Sequence, residues 1–258
     1  FVFSNNGSRF IMRRVNYGSY PQGTSTDYLS DGLTCENYIQ FLRDLNINTI
    51  LVSYIDPRAD HLSCMSNFAN NDIYIMALLD GPAGQLDYVD GGWQRDLYAT
   101  GIGTIDSLAG YSNTLGFAVG VFPLYDIATP NLPFCEAAVR DMKQYMLDRS
   151  YRAVPVGVLL QGYPNTFDPS GQEFVDETED YLQCDSLSAD FIGPFVFSTA
   201  LYDNCKPQEH LDSLIARYSD AKLPTFISAI FCDERDYKEL DTIYSSDGLN
   251  AFAGAMVA

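Results

Sequence analysis

Along the chain, short and almost uninterrupted apolar runs alternate with longer stretches in which apolar residues recur every three or four positions. The runs are FIMRRV (10–15), TILVSY (49–54), IYIMALL (73–79), LGFAVGV (115–121), VPVGVLL (154–160), FIGPFVF (191–197), TFISAI (225–230) and AFAGAMV (251–257). They are rich in Val, Ile and Phe and lack an apolar–polar alternation, the pattern of strands covered on both faces. Helical periodicity falls between them, at 35–45, 93–111, 135–149, 174–182 and 209–218. In 35–45 the apolar positions are Tyr38, Phe41, Leu42 and Leu45; in 135–149 they are Ala137, Val139, Met142 and Met146, with charges opposite. Eight strands alternating with helices predict an α/β fold of the (β/α)8 TIM-barrel type, whose sites lie at the C-terminal ends of the strands. The pattern stops on its eighth apolar run, so the closing helix is expected to be missing or trimmed. No linker, repeat or low-complexity tract interrupts it, and residues 1–258 read as a single domain.

Composition narrows the function classes. The 258 residues are 47% hydrophobic and 19% charged, enough apolar material for a large core. Formal net charge is −19, a surface that repels phosphate backbones and anionic lipid, so nucleic acid is excluded as a partner. No apolar run reaches the length of a transmembrane segment, and no leader precedes the domain, so the chain reads as mature. Six Cys without a CxxC pair, beside two His, argue for a disulfide-bonded protein and against a metal site. Asn6-Gly7-Ser8 is a glycosylation sequon. Acidic charge, cysteines and sequon together point to a secreted, extracellular protein. There is no GxSxG, no HExxH and no GxGxxG with a following acid, so no cofactor is expected; His61 and His210 lie far from any nucleophile motif.

Several segments, taken in order, are similar to one family. They are DGLTCENYIQFLRDLNINTI (31–50), YIDPRADHLSCM (54–65), TIDSLAGYSNTLGF (104–117), EAAVRDMKQYM (136–146), YRAVPVG (151–157), DYLQCDSLSADFIG (180–193) and LPTFIS (223–228). Together they resemble the fungal cell-wall β-1,3-glucanosyltransferases of glycoside hydrolase family 72. The resemblance implies a barrel enzyme that cleaves β-1,3-glucan and transfers the new end to another chain with retention. That chemistry needs two carboxyl groups about 5–5.5 Å apart, one as nucleophile and one as acid/base.

Carried over residue by residue, the resemblance implies that both carboxylates are missing. The acid/base Glu of the family falls on Phe122, and the nucleophile falls on Ala229. Neither side chain titrates, so neither can attack or move a proton. The surroundings are altered as well. An Arg-Val-Tyr of the family reads Leu51-Val52-Ser53, and an Asn-x-Tyr-x-Trp-Cys pattern reads Phe195 to Ala200, with Phe197 and Thr199 in place of sugar-contacting groups. So many replacements exceed what a single knocked-out carboxylate would need. The remaining candidates for a groove are Tyr17, Asp80, Trp93, Tyr125, Asp126 and Tyr202. Trp93 reads equally as a sugar platform and as a packing residue at a helix start. Asp80 sits in a turn, Asp80-Gly81-Pro82, whose own chemistry explains it, and Asp56 and Asp60-His61 read as loop organisers. Asp126 and Asp233 lie about four residues past the family's catalytic places, roughly 10 Å of extended chain, and read as rim carboxylates.

For the cysteines, the resemblance implies a Cys35–Cys64 disulfide. Cys232 matches a bridging cysteine whose family partner position is Ala200, and Cys205 is expected to take that role. Cys184 matches a family cysteine whose partner falls beyond residue 258; a Cys135–Cys184 bridge is the expectation here. Three functional readings follow. The first is a catalytically inactive, secreted glucanosyltransferase-like protein that keeps a groove for β-1,3-glucan or another wall polysaccharide. The second is a repurposed barrel with a closed groove, acting through an unidentified protein partner as an effector, elicitor or storage-like protein. The third is residual glycosidase activity through relocated carboxylates such as Asp126 or Asp233.

Overall fold

The structure, a computed structural model, describes residues 4–5, 8–18, 26–79, 92–121, 132–160, 178–184, 186–197, 207–231 and 238–256; of 4–5, 121, 195–197, 207–210, 213, 229–231 and 256 it describes the backbone alone. Two short strands, β1 (Ser4–Asn5) and β2 (Ser8–Arg9), form an antiparallel pair ahead of the first barrel strand, β3 (Met12–Asn16). Five more strands follow: β4 (Thr49–Val52), β5 (Tyr74–Leu78), β6 (Thr114–Val121), β7 (Val156–Leu160) and β8 (Ile192–Gly193). Then come β9 (Phe195–Phe197), β10 (Ala229–Phe231) and β11 (Gly254–Met256).

One parallel sheet runs β11-β3-β4-β5-β6-β7-β8, and β9 pairs with β10. Parallel bridges Ile192↔Thr225 and Ile227↔Ala255 join the two groups, so the sheet curls back on itself as a TIM-type barrel. The predicted strand 191–197 is split at Pro194, which has no N–H to give to the ladder, although its carbonyl accepts from Ser228 N at 2.7 Å. The predicted strand 225–230 is regular only over Ala229–Phe231 and reaches its neighbours before that through single bridges.

Helices cover the outside. They are α1 (Gly32–Asp44), α2 (Leu62–Ala69), α3 (Arg95–Leu108), α4 (Leu132–Asp148), α5 (Pro207–Tyr218), α6 (Glu239–Ile243) and α7 (Ser246–Ala251), with a helical turn at 178–182. Asp31 starts α1: its Oδ1 accepts from the amides of Leu33 and Thr34, and its Oδ2 from the Thr34 hydroxyl at 2.6 Å. Those bonds hold the Asp31 carboxyl below its ordinary pKa. Helices α2, α6 and α7 were not expected from the periodicity; at five to eight residues they are too short for a repeat to register.

The faces of two helices also differ from expectation. On α1 the buried residues are Cys35 and Leu42, while Tyr38, Phe41 and Leu45 face solvent. On α4 Ala138 rather than Ala137 joins Val139, Met142 and Met146 in the core. Three core clusters result, one of them packing α5, α6 and α7 on Ile227, Phe252 and Ala255. Of the other two, the outer one packs helices against the outward faces of β4–β7; the inner one fills the barrel with Met12, Leu51, Met76, Leu159, Phe191 and Phe226. Glycines make room for this filling: a Cβ at Gly157 would stand 2.4 Å from the Phe191 ring. At Gly254 φ is +123°, and a Cβ would lie 2.0 Å from Met12 O, where β11 meets β3.

Cys35 and Cys64 form a disulfide between α1 and α2 across a sequence separation of 29, a closure that stabilises by about 3–4 kcal/mol through the unfolded chain. The expected Cys135–Cys184 bridge is not formed. Cys135 is buried on the core face of α4, whereas Cys184 is exposed and its thiol donates to Tyr181 O at 2.9 Å. Cys205 and Cys232 lie outside the described residues.

Candidate functional site

The C-terminal mouth of the barrel is built on a floor of inward side chains. In β3 the burial pattern puts Met12 and Arg14 inside. Arg13 points out, where its Nε donates to Asn46 O at 2.5 Å. The Arg14 guanidinium is buried at 1% exposure. Its Nη2 donates to Ser228 O at 2.5 Å, its Nη1 lies 3.4 Å from Met76 Sδ, and its Cζ stands 5.3 Å from the centre of the Phe226 ring. Burial lowers its pKa to about 9, because desolvation disfavours the charged form.

Directly above this guanidinium the chain passes through Ser228 into Ala229. Ser228 is buried and its hydroxyl donates to Pro194 O at 3.0 Å. Ala229 opens β10 in register with Phe195 of β9, and Phe231 pairs with Phe197. The backbone of position 229 is thus held in the C-terminal half of the 225–231 run that forms the seventh barrel strand, beside the sixth. Leu51 lies in the inner core one residue before the end of β4, and Ser53, half-buried, follows the strand. Asn6, Asp80, Phe122, Tyr125, Asp126, Thr199, Tyr202 and Asp233 lie outside the described residues.

Two predicted groove aromatics are engaged in packing instead. Tyr17 is buried in the outer layer, edge-on to Tyr28, Tyr38 and Phe68 at centroid distances of 6.3, 5.8 and 5.5 Å. Burial, helped by Tyr38 and Asp31, raises its pKa above the ordinary phenol value. Trp93 packs against the helix layer, its Nε1 donates to Asp141 Oδ2 at 2.9 Å, and its ring meets Tyr98 edge-on at 6.2 Å. Of the two readings of Trp93, the structure favours the packing residue.

The loops above β3 and β4 are braced by a buried pair that the sequence reading missed. Asp27 Oδ2 lies 2.7 Å from His61 Nε2, with the two side chains 5% and 3% exposed. Asp27 also accepts from Asp56 N at 2.8 Å and Leu29 N at 2.9 Å. Asp56 in turn clamps Arg58 Nε and Nη2 at 3.0 and 3.1 Å, bonds that hold its carboxyl below the ordinary range. Asp60 Oδ1 accepts from Leu62 N at the start of α2. Asp56, Asp60 and His61 therefore organise loops, as their turn context suggested. Asp27 left no such signal, since it stands alone between Thr26 and Tyr28. Arg14 left one: of two adjacent Arg in a strand, alternation turns one inward. Among the described residues no His/Cys/Asp/Glu group is placed to hold a metal ion.

The Glucanosyltransferase family of glycoside hydrolase family 72 matches residues 1–258. Protein EPD2 of Candida maltosa is 32% identical over 275 residues, covering all of this chain and 48% of the relative. The 1,3-beta-glucanosyltransferase GAS5 of Saccharomyces cerevisiae is 30% identical, covering all of this chain and 53% of the relative. The chain thus spans about half the length of the relatives it matches. Among solved structures, a mutant of Saccharomyces cerevisiae Gas2p in complex with laminaritetraose and laminaripentaose superposes with a TM-score of 0.80 at 23% identity, covering 99% of this chain and 57% of that one. That likeness is one of fold.

Proposed function

Since the chain belongs to the glucanosyltransferase family, glycoside hydrolase family 72, we propose that it is a non-catalytic member, which binds β-1,3-glucan at the mouth of its barrel without cleaving it. The observation that carries this reading is Ala229, held in register with Phe195 at the end of the seventh barrel strand. By resemblance this is the place of the nucleophilic carboxylate, and the acid/base position is Phe122. A retaining mechanism needs both groups. The glucan ligand is suggested by Gas2p, a protein of the same fold solved with laminari-oligosaccharides. The Cys35–Cys64 disulfide supports an oxidising, extracytoplasmic setting such as a cell wall. Among the described residues no helix is long and apolar enough to cross a membrane.

Titration calorimetry with laminari-oligosaccharides of increasing length tests this. Affinity that grows with chain length, with the sugars recovered intact, is expected. Absence of binding at millimolar sugar would sink the proposal and favour a second reading, in which the groove is closed and the barrel works through surface contacts with another protein. Tyr17 and Trp93, engaged in packing, and Leu51, buried in the inner core, support that second reading.

A further inference from the structure

A cleft of about 540 Å³ opens at the N-terminal end of the barrel, opposite the mouth that carries Ala229. It lies below the starts of β5, β6 and β7 and beside the last turns of α4, and its size falls within the range of small-molecule sites. Its apolar walls include Leu115, Met146 and Pro155. Phe10 and Tyr74 meet edge-on in its wall, centroids 5.2 Å apart at 72°, and Tyr151 adds a third ring.

The polar groups of this cleft are mostly donors. Lys143 Nζ donates to Ser188 O at 2.7 Å and Asp190 Oδ1 at 2.8 Å, which leaves one of its three N–H groups. Asp190 is engaged at both oxygens, since Oδ2 accepts from Val156 N at 2.8 Å. Arg152 Nη2 donates to the carbonyls of Tyr111 and Thr114. Among the described residues, its Nε and Nη1 donate to no protein acceptor. Partial burial lowers the pKa of Arg152, although the residue as a whole is exposed at the rim of the cleft. Two cations against one carboxylate give the cleft a local positive charge, in a chain whose net charge is −19.

We infer that this cleft is a second binding site, for a small monocarboxylate with an aromatic body: the ring against Phe10, Tyr74 and Tyr151, the carboxylate on Arg152 and Lys143. A charged oxygen acceptor would satisfy the remaining donors and offset the local charge, and charge-assisted bonds are the stronger kind. A neutral sugar would stack on the same rings but leave the charge uncompensated. This site is independent of the glucan reading, being at the other end of the barrel.

Calorimetric titration with 3-phenylpropanoate and with its neutral amide tests the inference. One saturable site for the acid is expected, with the amide bound at least tenfold more weakly. Arg152→Gln is expected to weaken the acid at least tenfold and leave the amide where it was. Because Arg152 also anchors two carbonyls, a second variant is needed: Ala153→Trp, at the exposed rim, is expected to block both probes without touching the core. Equal affinity for acid and amide would overturn the inference, as would acid binding unchanged in both variants or no binding at millimolar acid. Occupancy of the cleft by laminaribiose in preference to the acid would overturn it too.

Discussion

The Arg14 guanidinium and the Ser228 carbonyl meet at 2.5 Å across 214 residues of sequence, so the first barrel strand is tied to the residue that precedes Ala229. A buried cation therefore holds the backbone immediately before Ala229. Its lowered pKa indicates that the fold tolerates the charge rather than gaining from it.

Arg14→Met, which keeps most of the volume and removes the charge, is expected to change stability by less than about 1.5 kcal/mol. Arg14→Ala leaves a cavity among Met76 and Phe226 and is expected to cost about 3 kcal/mol or more. Urea denaturation of the two variants measures the difference; equal losses would mean that the charge itself holds the barrel together.

Removing Asp27 breaks a buried pair and strands two amides. Asp27→Ala is expected to cost about 3–5 kcal/mol, with the larger part lost from the loops above β3 and β4. Hydrogen exchange at Leu29 and Asp56 should accelerate before global unfolding does. Exchange unchanged at both amides would show that Asp27 does not brace these loops.

How much of this was legible in the sequence differs by layer. The central barrel strands were, because β4, β5 and β7 are runs buried almost throughout, and they fall inside their predicted runs; the short pair β1 and β2 carries no such run. Helix existence was legible for the long helices but facing was less so. On α1 the Cys35–Leu42 side faces the core, and three large apolar residues on other positions stay outside. At the mouth, local pattern says little about where a loop residue turns: Tyr17 and Trp93 both follow or precede loops, and both ended in the outer layer. The Cys35–Cys64 bridge came from resemblance; the Cys135–Cys184 pairing, inferred only from the cysteines left over, did not form.

Trp93 is the single tryptophan, which makes it a clean reporter. If it is a packing residue, saturating laminari-oligosaccharide leaves its emission maximum unmoved, while Trp93→Phe removes the bond to Asp141 at a cost of about 1 kcal/mol. A blue shift on sugar binding would return Trp93 to the groove.

Alkaline pH should single out the Tyr145 phenol. Burial and the Asp106 hydrogen bond raise the Tyr145 pKa to about 12 from 10.0, so between those values the unfolded chain has lost a proton that the folded chain keeps. Stability contributed by Tyr145 is present below pH 10 and falls as pH rises through this window. Arg14 acts in the opposite direction: its folded pKa is depressed to about 9, so from there upward the unfolded chain holds more protons and stability rises. The comparison with Tyr145→Phe isolates the phenol. The variant is expected to lose stability less steeply between pH 10 and 12, and identical slopes would contradict the assignment.

The proposal that this chain lacks a competent carboxylate pair is tested most directly by product analysis. The protein at high concentration is incubated with laminari-oligosaccharides of one length, and the sugars are weighed by mass spectrometry against a blank without protein. An unchanged single length is predicted. Paired shorter and longer products above the blank would contradict the account, because they require a nucleophile and an acid/base that Ala229 and Phe122 cannot supply.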